Sequence, residues 1–270
     1  MLANVSRREV PWGMEGRPYS SVDYFPDPRV RWGLPQAVVI VALLPITEVL
    51  TRTLPLLSLD PIARSVLDRL LGVGFYAAVL AIVLVASRRR GLAQLGRDFG
   101  FAVTPTDVVL AIGLVVAIEF VNILDGIMIQ GITGIHPAPD LDLAGASVGT
   151  LLVVSFGALI AAPFVEELSN RGLIMRAVRH SILRAGSGSS PSSLRRNAAR
   201  TLSVVVSAVV FSALHLPDRI GTGALPFELV GTLVAGLFFG YVATRTGRIG
   251  ATITAHILLN FIALVLTAHR

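Results

Sequence analysis

Long apolar runs, separated by short polar connections, fill most of the chain. Seven of these runs have about the 17–25 residues that an α-helix needs to cross a bilayer. They lie near residues 34–50, 66–86, 107–124, 147–173, 200–217, 226–244 and 249–268. The pattern therefore predicts an all-α, polytopic transmembrane bundle of about seven spans. The first run contains Pro35, Pro45 and Glu48 and the fifth is short, so the count ranges from six to eight.

Composition agrees with a membrane protein and limits the domain organisation. The chain is 53% hydrophobic and 15% charged, with a mean hydropathy of +0.73, outside the range of an ordinary soluble domain. We interpret residues 1–32 as a cytoplasmic N-terminal arm and residues 33–270 as a single membrane domain. The arm has no apolar segment typical of a cleavable signal peptide, so we expect the first span to direct membrane insertion. Cysteine is absent, which excludes disulfides and thiolate metal ligands.

The clusters of arginine lie in the N-terminal arm and in every second connection. These connections contain Arg88 to Arg97, Arg176 to Arg200, and Arg245 with Arg248. Because cytoplasmic loops accumulate arginine, the N-terminus is predicted in the cytoplasm and the C-terminus outside. The net charge is +6, but the cationic residues flank the spans and form no patch with stacking aromatics. We therefore expect anionic membrane lipids as partners and no nucleic acid.

Four polar residues interrupt the end of the fourth apolar run. Glu166, Glu167, Asn170 and Arg171 follow a stretch that is otherwise apolar from residue 148 to 163. Each charge at the bilayer centre costs roughly 3 kcal/mol on the mildest scales, so such residues mark a functional site. Helical spacing predicts that Glu167 faces Arg171 and that Glu166 faces Asn170. Glu166 is then left without a cation of its own.

Two of the five histidines, His215 and His256, lie inside apolar runs, whereas His136, His180 and His269 are expected to be solvated. At about 1.5 Å per residue from the nearest arginine, Glu166, His215 and His256 lie about 15, 22 and 12 Å deep. All three depths fall in the middle of the bilayer core. The sequence therefore predicts one shared polar pocket, and we expect it to open toward the cytoplasm.

Two kinds of chemistry fit this set of side chains, and the sequence leaves both open. Glu166 could act as a general base toward water, with His256 and Asn260, one helical turn apart, as donors to an oxyanion. Alternatively, Glu166, His215 and His256 could bind one divalent metal such as zinc, which would lower the pKa of a bound water.

Three short motifs in order carry a resemblance to a known family. The segments E-E-L-S-N-R-G at 166–172, F-S-A-L-H at 211–215 and H-I-L-L-N at 256–260 resemble the EExxxR, FxxxH and HxxxN motifs of the CPBP family. Its members are intramembrane proteases related to type II CAAX prenyl endopeptidases and to bacteriocin-processing or immunity (Abi-like) proteins. The resemblance covers residues 147–268, the expected protease-like core.

The resemblance implies a role for each matching residue. Glu166 would activate water, Glu167 and Arg171 would support it, and His215 would orient the water or bind metal. His256 and Asn260 would form the oxyanion site or complete a metal site. Phe211 would pack under His215. The sequence departs from the family at Ser169 and Asn170, where relatives often carry bulky aromatics.

The function that the resemblance implies is an intramembrane metallo- or glutamate-dependent endopeptidase acting on a peptide or protein substrate that can be membrane-anchored. A catalytically inactive scaffold or immunity protein is one alternative. A proton-coupled transporter is another, although no inverted repeat is visible. Glu119 and Asn122 share one face of the third span, where they either line a cavity or join helices. Glu48 and Arg52, four residues apart, predict an interfacial ion pair.

Overall fold

The computed structural model describes residues 19–21, 24–53, 60–134, 155–185, 191–216, 223 and 225–268, and within these ranges its secondary structure is helical, with no strand. The helices are α1 (Leu34–Thr53), α2 (Pro61–Arg90), α3 (Leu95–Phe99), α4 (Pro105–Thr133), α5 (residues 155–184), α6 (Ser193–His215), α7 (Leu225–Thr246) and α8 (Gly250–Ala268). The predicted all-α fold is confirmed.

Helices occupy all seven positions predicted for spans, although residues 147–154 of the fourth lie outside the described residues. Five are long and apolar enough to cross a membrane: Leu34–Thr53, Arg69–Arg90, Pro105–Thr133, Ser193–His215 and Leu225–Thr246. In α8 the apolar part, Gly250–Leu266, is shorter. The short helix α3 was not predicted, because five residues are too few to show a hydrophobic period.

The helix α5, which contains the glutamate pair, is irregular. It is π-helical over Gly157–Ala161, α-helical over Ala162–Glu167, π-helical again over Leu168–Ile174 and α-helical over Met175–Arg184. Proline has no N–H, so Pro163 cannot donate to the turn before it. The N–H of Ala162 donates instead to Gly157, five residues back. Helices that widen in this way are frequent at functional sites.

The first widened turn also joins α5 to α8. In a π-helical turn the carbonyl of Ala158 would accept a hydrogen bond from the N–H five positions on, but that residue is Pro163, which has none. The side-chain amide of Asn260 supplies the missing donor, with Nδ2 at 2.8 Å from the Ala158 oxygen. A proline on one helix and an asparagine on another therefore form one structural unit.

Buried side chains concentrate at the end of the bundle that carries the arginine clusters. In α7 all the buried residues, Ala235 to Thr244, lie in the half nearer Arg245. In α8 they lie within the first two turns, up to His256, and in α4 they end at Ile118. Among the described residues, the helices therefore pack most tightly at the arginine-rich end.

Two glycines on α7 allow it to approach α6 closely. A Cβ added to Gly236 would lie 2.8 Å from the Cα of Ala208, and one at Gly240 would lie 2.9 Å from Cγ1 of Val204. The packing role expected for small residues on this helix is therefore the one observed at these two positions.

The described part of the N-terminal arm packs on the last turns of α5. Arg179 donates to the carbonyls of Tyr19 at 2.7 Å and Ser21 at 3.1 Å. His180 is only 3% exposed, and its Nε2 lies 2.7 Å from the hydroxyl of Tyr24. The expectation that His180 is solvated is wrong, because the arm covers it. His136 and His269 lie outside the described residues.

Candidate active site

Three side chains from three helices converge at mid-bundle. Glu166 lies on α5, His215 is the last residue of α6, and His256 lies two turns into α8. Oε2 of Glu166 is 3.7 Å from Nε2 of His215 and 3.8 Å from Nε2 of His256. The ligand atoms of the three residues all lie within 4.8 Å of one another. We call these residues the triad, and the structure brings their polar atoms together.

Hydrogen bonds at the far side of each ring fix how the two imidazoles face Glu166. Nδ1 of His215 lies 2.8 Å from the carbonyl oxygen of Phe211, and Nδ1 of His256 lies 3.3 Å from Oε1 of Glu167. A carbonyl and a carboxylate are both acceptors, so each Nδ1 carries a proton. A neutral imidazole then presents an unprotonated Nε2 toward Glu166. In that state all three converging atoms are hydrogen-bond acceptors.

A buried ion pair supports the triad from behind. Arg171 Nη1 donates to Glu167 Oε1 at 2.8 Å, and both side chains are 0% exposed. The guanidinium also stacks over Phe211 at 4.2 Å, and Phe211 lies 4.5 Å from the ring of His215. The predicted pairing of Glu167 with Arg171 and the packing of Phe211 on His215 are therefore observed. Glu167 thus bonds both Arg171 and His256, and it orients the ring of His256.

The predicted pairing of Glu166 with Asn170 is wrong. Both amide atoms of Asn170 are buried without a hydrogen-bond partner among the described residues, and Ser207 donates to its backbone carbonyl at 3.3 Å. The i, i+4 pair of Glu167 with Arg171 still forms across the widened stretch, but the carboxylate of Glu166 accepts instead from Tyr76 on α2. Ser169 donates to the carbonyl of Glu166 at 3.1 Å. Ser169 and Asn170, which depart from the family pattern, therefore make no hydrogen bond to the carboxylate of Glu166.

Sequence reasoning missed Tyr76, the closest polar partner of Glu166. Its hydroxyl donates to Oε1 of Glu166 at 2.6 Å from helix α2. Tyr76 lies within an apolar stretch of the second span, and a phenol there requires a partner. That requirement was the available indication, but the sequence could not show that α2 packs beside α5. The bond leaves Oε2 to face the histidines.

Asn260, which the sequence predicts as a donor to an oxyanion, already donates to one protein group. One of its two amide hydrogens is held by Ala158, as described above. Its side chain also lines the cavity beside His256, so the second hydrogen remains for a further acceptor.

A cavity of about 320 Å³ adjoins the triad between α4, α6, α7 and α8. Its lining includes His215, His256 and Asn260, together with Asp125 and Glu228. Asp125 and Glu228 lie on the helix halves farthest from the arginine clusters. We expected an opening at the arginine-rich end, but the cavity extends the opposite way, because close helix packing fills the arginine-rich end.

Glu119 and Asn122 both line this cavity. Of the two readings that the sequence left open for them, the structure favours the cavity over a purely helix-joining role. Glu48 and Arg52 form the predicted ion pair on α1, where both side chains are partly exposed.

The triad fits a metal ion in residue type. Two imidazoles and one carboxylate are the protein ligands of one class of catalytic zinc site. Tetrahedral zinc places its ligand atoms about 3.3–3.5 Å apart, closer than the observed 3.7 and 3.8 Å from Glu166 and than the 4.8 Å within which all three ligand atoms lie. The contact between Glu167 and Nδ1 of His256 is the kind of outer carboxylate that metal-binding histidines carry. A hydrogen-bonded water fits the same three acceptors.

Part of the chain matches a protein-family model. Residues 148–262 match the family model described as "Rce1-like: Type II CAAX prenyl endopeptidase Rce1-like". The match confirms the recognition of the CPBP family from the three motifs, spans the whole triad and supports a protease in the membrane. Searches of curated proteins and of solved structures found no match.

Proposed function

We propose that this Rce1-like chain is an intramembrane endopeptidase that hydrolyses a peptide bond with a water activated by Glu166. The observation that carries the proposal is the convergence of Glu166, His215 and His256 within 4.8 Å, beside a cavity that the two histidines line. Hydrolysis needs a base, a bound water and space for a carbonyl, and the triad with its cavity supplies candidates for each.

In this proposal, a water lies between Glu166 and the two imidazoles. Glu166 Oε2 takes one proton as the water oxygen attacks the carbonyl carbon. The proton passes to the leaving nitrogen as the peptide bond breaks, which leaves a carboxylic acid and an amine. The hydroxyl of Tyr76 holds Oε1 and thereby directs Oε2 at the water. The second amide hydrogen of Asn260 is the candidate to stabilise the oxyanion, since Nδ1 of a neutral His256 donates to Glu167 and its Nε2 is an acceptor.

The same residues are compatible with a metallopeptidase. Glu166, His215 and His256 would hold the ion, and Glu167 would keep Nδ1 of His256 protonated. When bound, a divalent ion lowers the pKa of a coordinated water and polarises a carbonyl. Three acceptors that face one another favour a cation or a water between them, so either species agrees with the orientation of the rings.

The substrate class that we propose is a peptide segment that reaches the cavity from the membrane. Many surface side chains of the bundle are apolar, for example Val109 and Phe120 on α4, as expected for contact with lipid. The family description names prenyl endopeptidases. We extend to this chain only the peptide bond, because the lining of the cavity does not identify a prenyl group.

The test is cleavage of a quenched fluorescent peptide library by the protein purified in detergent. Glu166→Gln should lower kcat/KM by at least about 100-fold, the usual contribution of a general base. Glu48→Gln is the matched control, since it removes a carboxylate on α1 with a cationic partner four residues away. Dialysis against a chelator followed by readdition of zinc separates the metal mechanism from the metal-free one.

Two outcomes would contradict the proposal. An active protein in which Glu166→Gln retains full activity removes Glu166 as the base. A folded protein that cleaves no peptide in the library supports the inactive scaffold, and solute flux in proteoliposomes would support the transporter. Folding is followed by helical circular dichroism and by elution volume.

A further inference from the structure

The described part of the N-terminal arm inserts one side chain, Tyr19, between the helices. Tyr19 is 5% exposed and packs in one apolar cluster with Met175 on α5 and Ala243 on α7. Two guanidiniums also lie over its ring, and the Cζ atoms of Arg176 and Arg179 are 3.9 and 4.5 Å from the ring centre. Cations over the face of an aromatic ring attract it, so the ring binds the arm to the last turns of α5.

Arg176 connects this ring to the turn between α7 and α8. Its Nη2 donates to the carbonyl of Gly247 at 2.8 Å. The guanidinium lies against Gly100, where an added Cβ would be 2.1 Å from Nη2. The carbonyl of Gly100 in turn accepts from the N–H of Ile249 at 2.9 Å, just before α8 begins. One arginine side chain therefore joins the last turns of α5 to the start of α8.

The arm backbone also contacts this turn directly. A Cβ added to Gly247 would lie 3.2 Å from the backbone nitrogen of Ser20, so the two segments are closely packed. Gly247 has a φ of +72°, a conformation that glycine adopts without strain. A larger residue here would be strained and would press on the arm. The glycine therefore leaves the space that the arm occupies.

The two helices that Arg176 joins each carry part of the triad. Glu166 lies on α5 and His256 on α8, with 3.8 Å between Oε2 and Nε2. Glu167 on α5 also contacts Nδ1 of His256 at 3.3 Å. Both contacts depend on the placement of α5 relative to α8. A misplacement of about 1 Å can lower a reaction rate about 100-fold, so a residue that fixes this placement affects catalysis from a distance.

We infer that Tyr19 and Arg176 are positioning residues, which join the last turns of α5 to the start of α8 and so set the distance between Glu166 and His256. The inference rests on the proposed protease function and makes that function depend on the N-terminal arm. Each residue acts on the triad only through the placement of the two helices. Loss of this connection should therefore lower kcat and leave KM, which depends on substrate contacts, nearly unchanged.

The effect on catalysis is measured with the quenched fluorescent peptides. Tyr19→Ala removes the ring that stacks on Arg176, so kcat should fall about 10- to 100-fold. Tyr19→Phe is the matched control, because it keeps the ring and removes a hydroxyl with no hydrogen-bond partner among the described residues. Its kcat should stay close to that of the parent. If Tyr19→Ala does not fold, Tyr19→Leu, which keeps apolar volume, takes its place.

Two kinetic results would overturn the inference. One is a kcat for Tyr19→Ala equal to that of the parent, with or without a change in KM. The other is a loss in Tyr19→Phe as large as that in Tyr19→Ala, because the stacked ring would then not be the cause.

A pair of arginine variants tests whether the turn between α7 and α8 is the link. Arg176→Met keeps apolar contact with Tyr19 but loses the donor to Gly247. Arg184 on the same helix also binds the arm, by donating to the carbonyls of Asp27 and Val30. Arg176→Met should lower kcat, whereas Arg184→Met should retain it. Equal losses in the two variants would overturn the inference, since the arm would then act without the turn.

Hydrogen exchange followed by mass spectrometry tests the connection without any cleavage. Tyr19→Ala and Arg176→Met should speed amide exchange in residues 175–184 of α5 and also in residues 250–256 of α8, relative to Arg184→Met. Faster exchange in the arm and α5 alone would overturn the inference, because the start of α8 would then be held independently.

The two measurements separate failure of the inference from failure of the proposed function. If exchange changes in both helices but the parent cleaves no peptide, the proposed function fails and the connection between the helices stands. If the parent cleaves peptides and Tyr19→Ala and Arg176→Met cleave them at the same rate, only the inference fails.

Discussion

Replacing Arg171 with methionine gives a large effect that can be worked out from the structure. Arg171 and Glu167 are joined at 2.8 Å and are both fully buried. Arg171→Met keeps much of the apolar contact with Phe211 but leaves the carboxylate of Glu167 buried without a cation. Oε2 of Glu167 already has no hydrogen-bond partner among the described residues. Breaking one side of such a pair costs about 3–5 kcal/mol, and lost stacking on the aromatic rings adds to this.

The assay is thermal unfolding in detergent, followed by helical circular dichroism. At about 2–4 °C per kcal/mol, the expected loss lowers Tm by at least about 6 °C. Arg52→Met is the matched control, because Arg52 also pairs with a glutamate four residues earlier but is 56% exposed. An exposed pair contributes at most about 1 kcal/mol. Glu167→Gln combined with Arg171→Met removes both charges and should restore part of the lost stability.

The result that would refute this reasoning is a Tm for Arg171→Met as close to the parent as that of Arg52→Met. A double variant at least as unstable as the sum of the two single variants would also refute it, since it would show that an unpaired buried charge is not the cause.

The remaining predictions concern three other side chains. Tyr76→Phe should lower kcat about 10- to 100-fold with little change in KM, since it removes one hydrogen bond to a charged group; unchanged kinetics would exclude its role in positioning Glu166. Asn260→Ala should destabilise the fold by about 1–3 kcal/mol, because the carbonyl of Ala158 loses its donor; an unchanged denaturation midpoint would contradict this. Burial and the nearby arginines hold the pKa of His180, outside the spans, well below 6.5, so the unfolded chain binds this proton first. Its contribution is complete above about pH 6.5 and is lost as the pH falls toward the folded-state pKa. His180→Gln should therefore flatten the stability curve below that pH, and an identical curve would contradict the assignment.

Apolar length was enough to predict the helices, because each span must satisfy its backbone hydrogen bonds internally. The motifs also predicted that Glu166, His215 and His256 meet, since charged and imidazole groups in lipid must find one another, and their polar atoms lie within 4.8 Å of one another. The ion pair of Glu167 with Arg171 followed from i, i+4 spacing.

What could not be predicted depends on helix irregularity and on which helices are neighbours. Pro163 was visible in the sequence, but the widening of α5 around it and the bond from Asn260 to Ala158 were not. The bond from Tyr76 required knowing that α2 packs beside α5. The direction of the cavity depends on where α4, α7 and α8 separate, and no local pattern encodes that.

The central claim, that Glu166 and His256 act as a unit on one water, is tested most directly by a kinetic double-mutant cycle. Peptide cleavage is measured for Glu166→Gln, His256→Ala and the double variant. Groups that act together are not additive, so the double variant should be no slower than the slower single variant. If the loss of kcat/KM in the double variant equals the product of the two single losses, the account is contradicted. Full activity in either single variant would also contradict it.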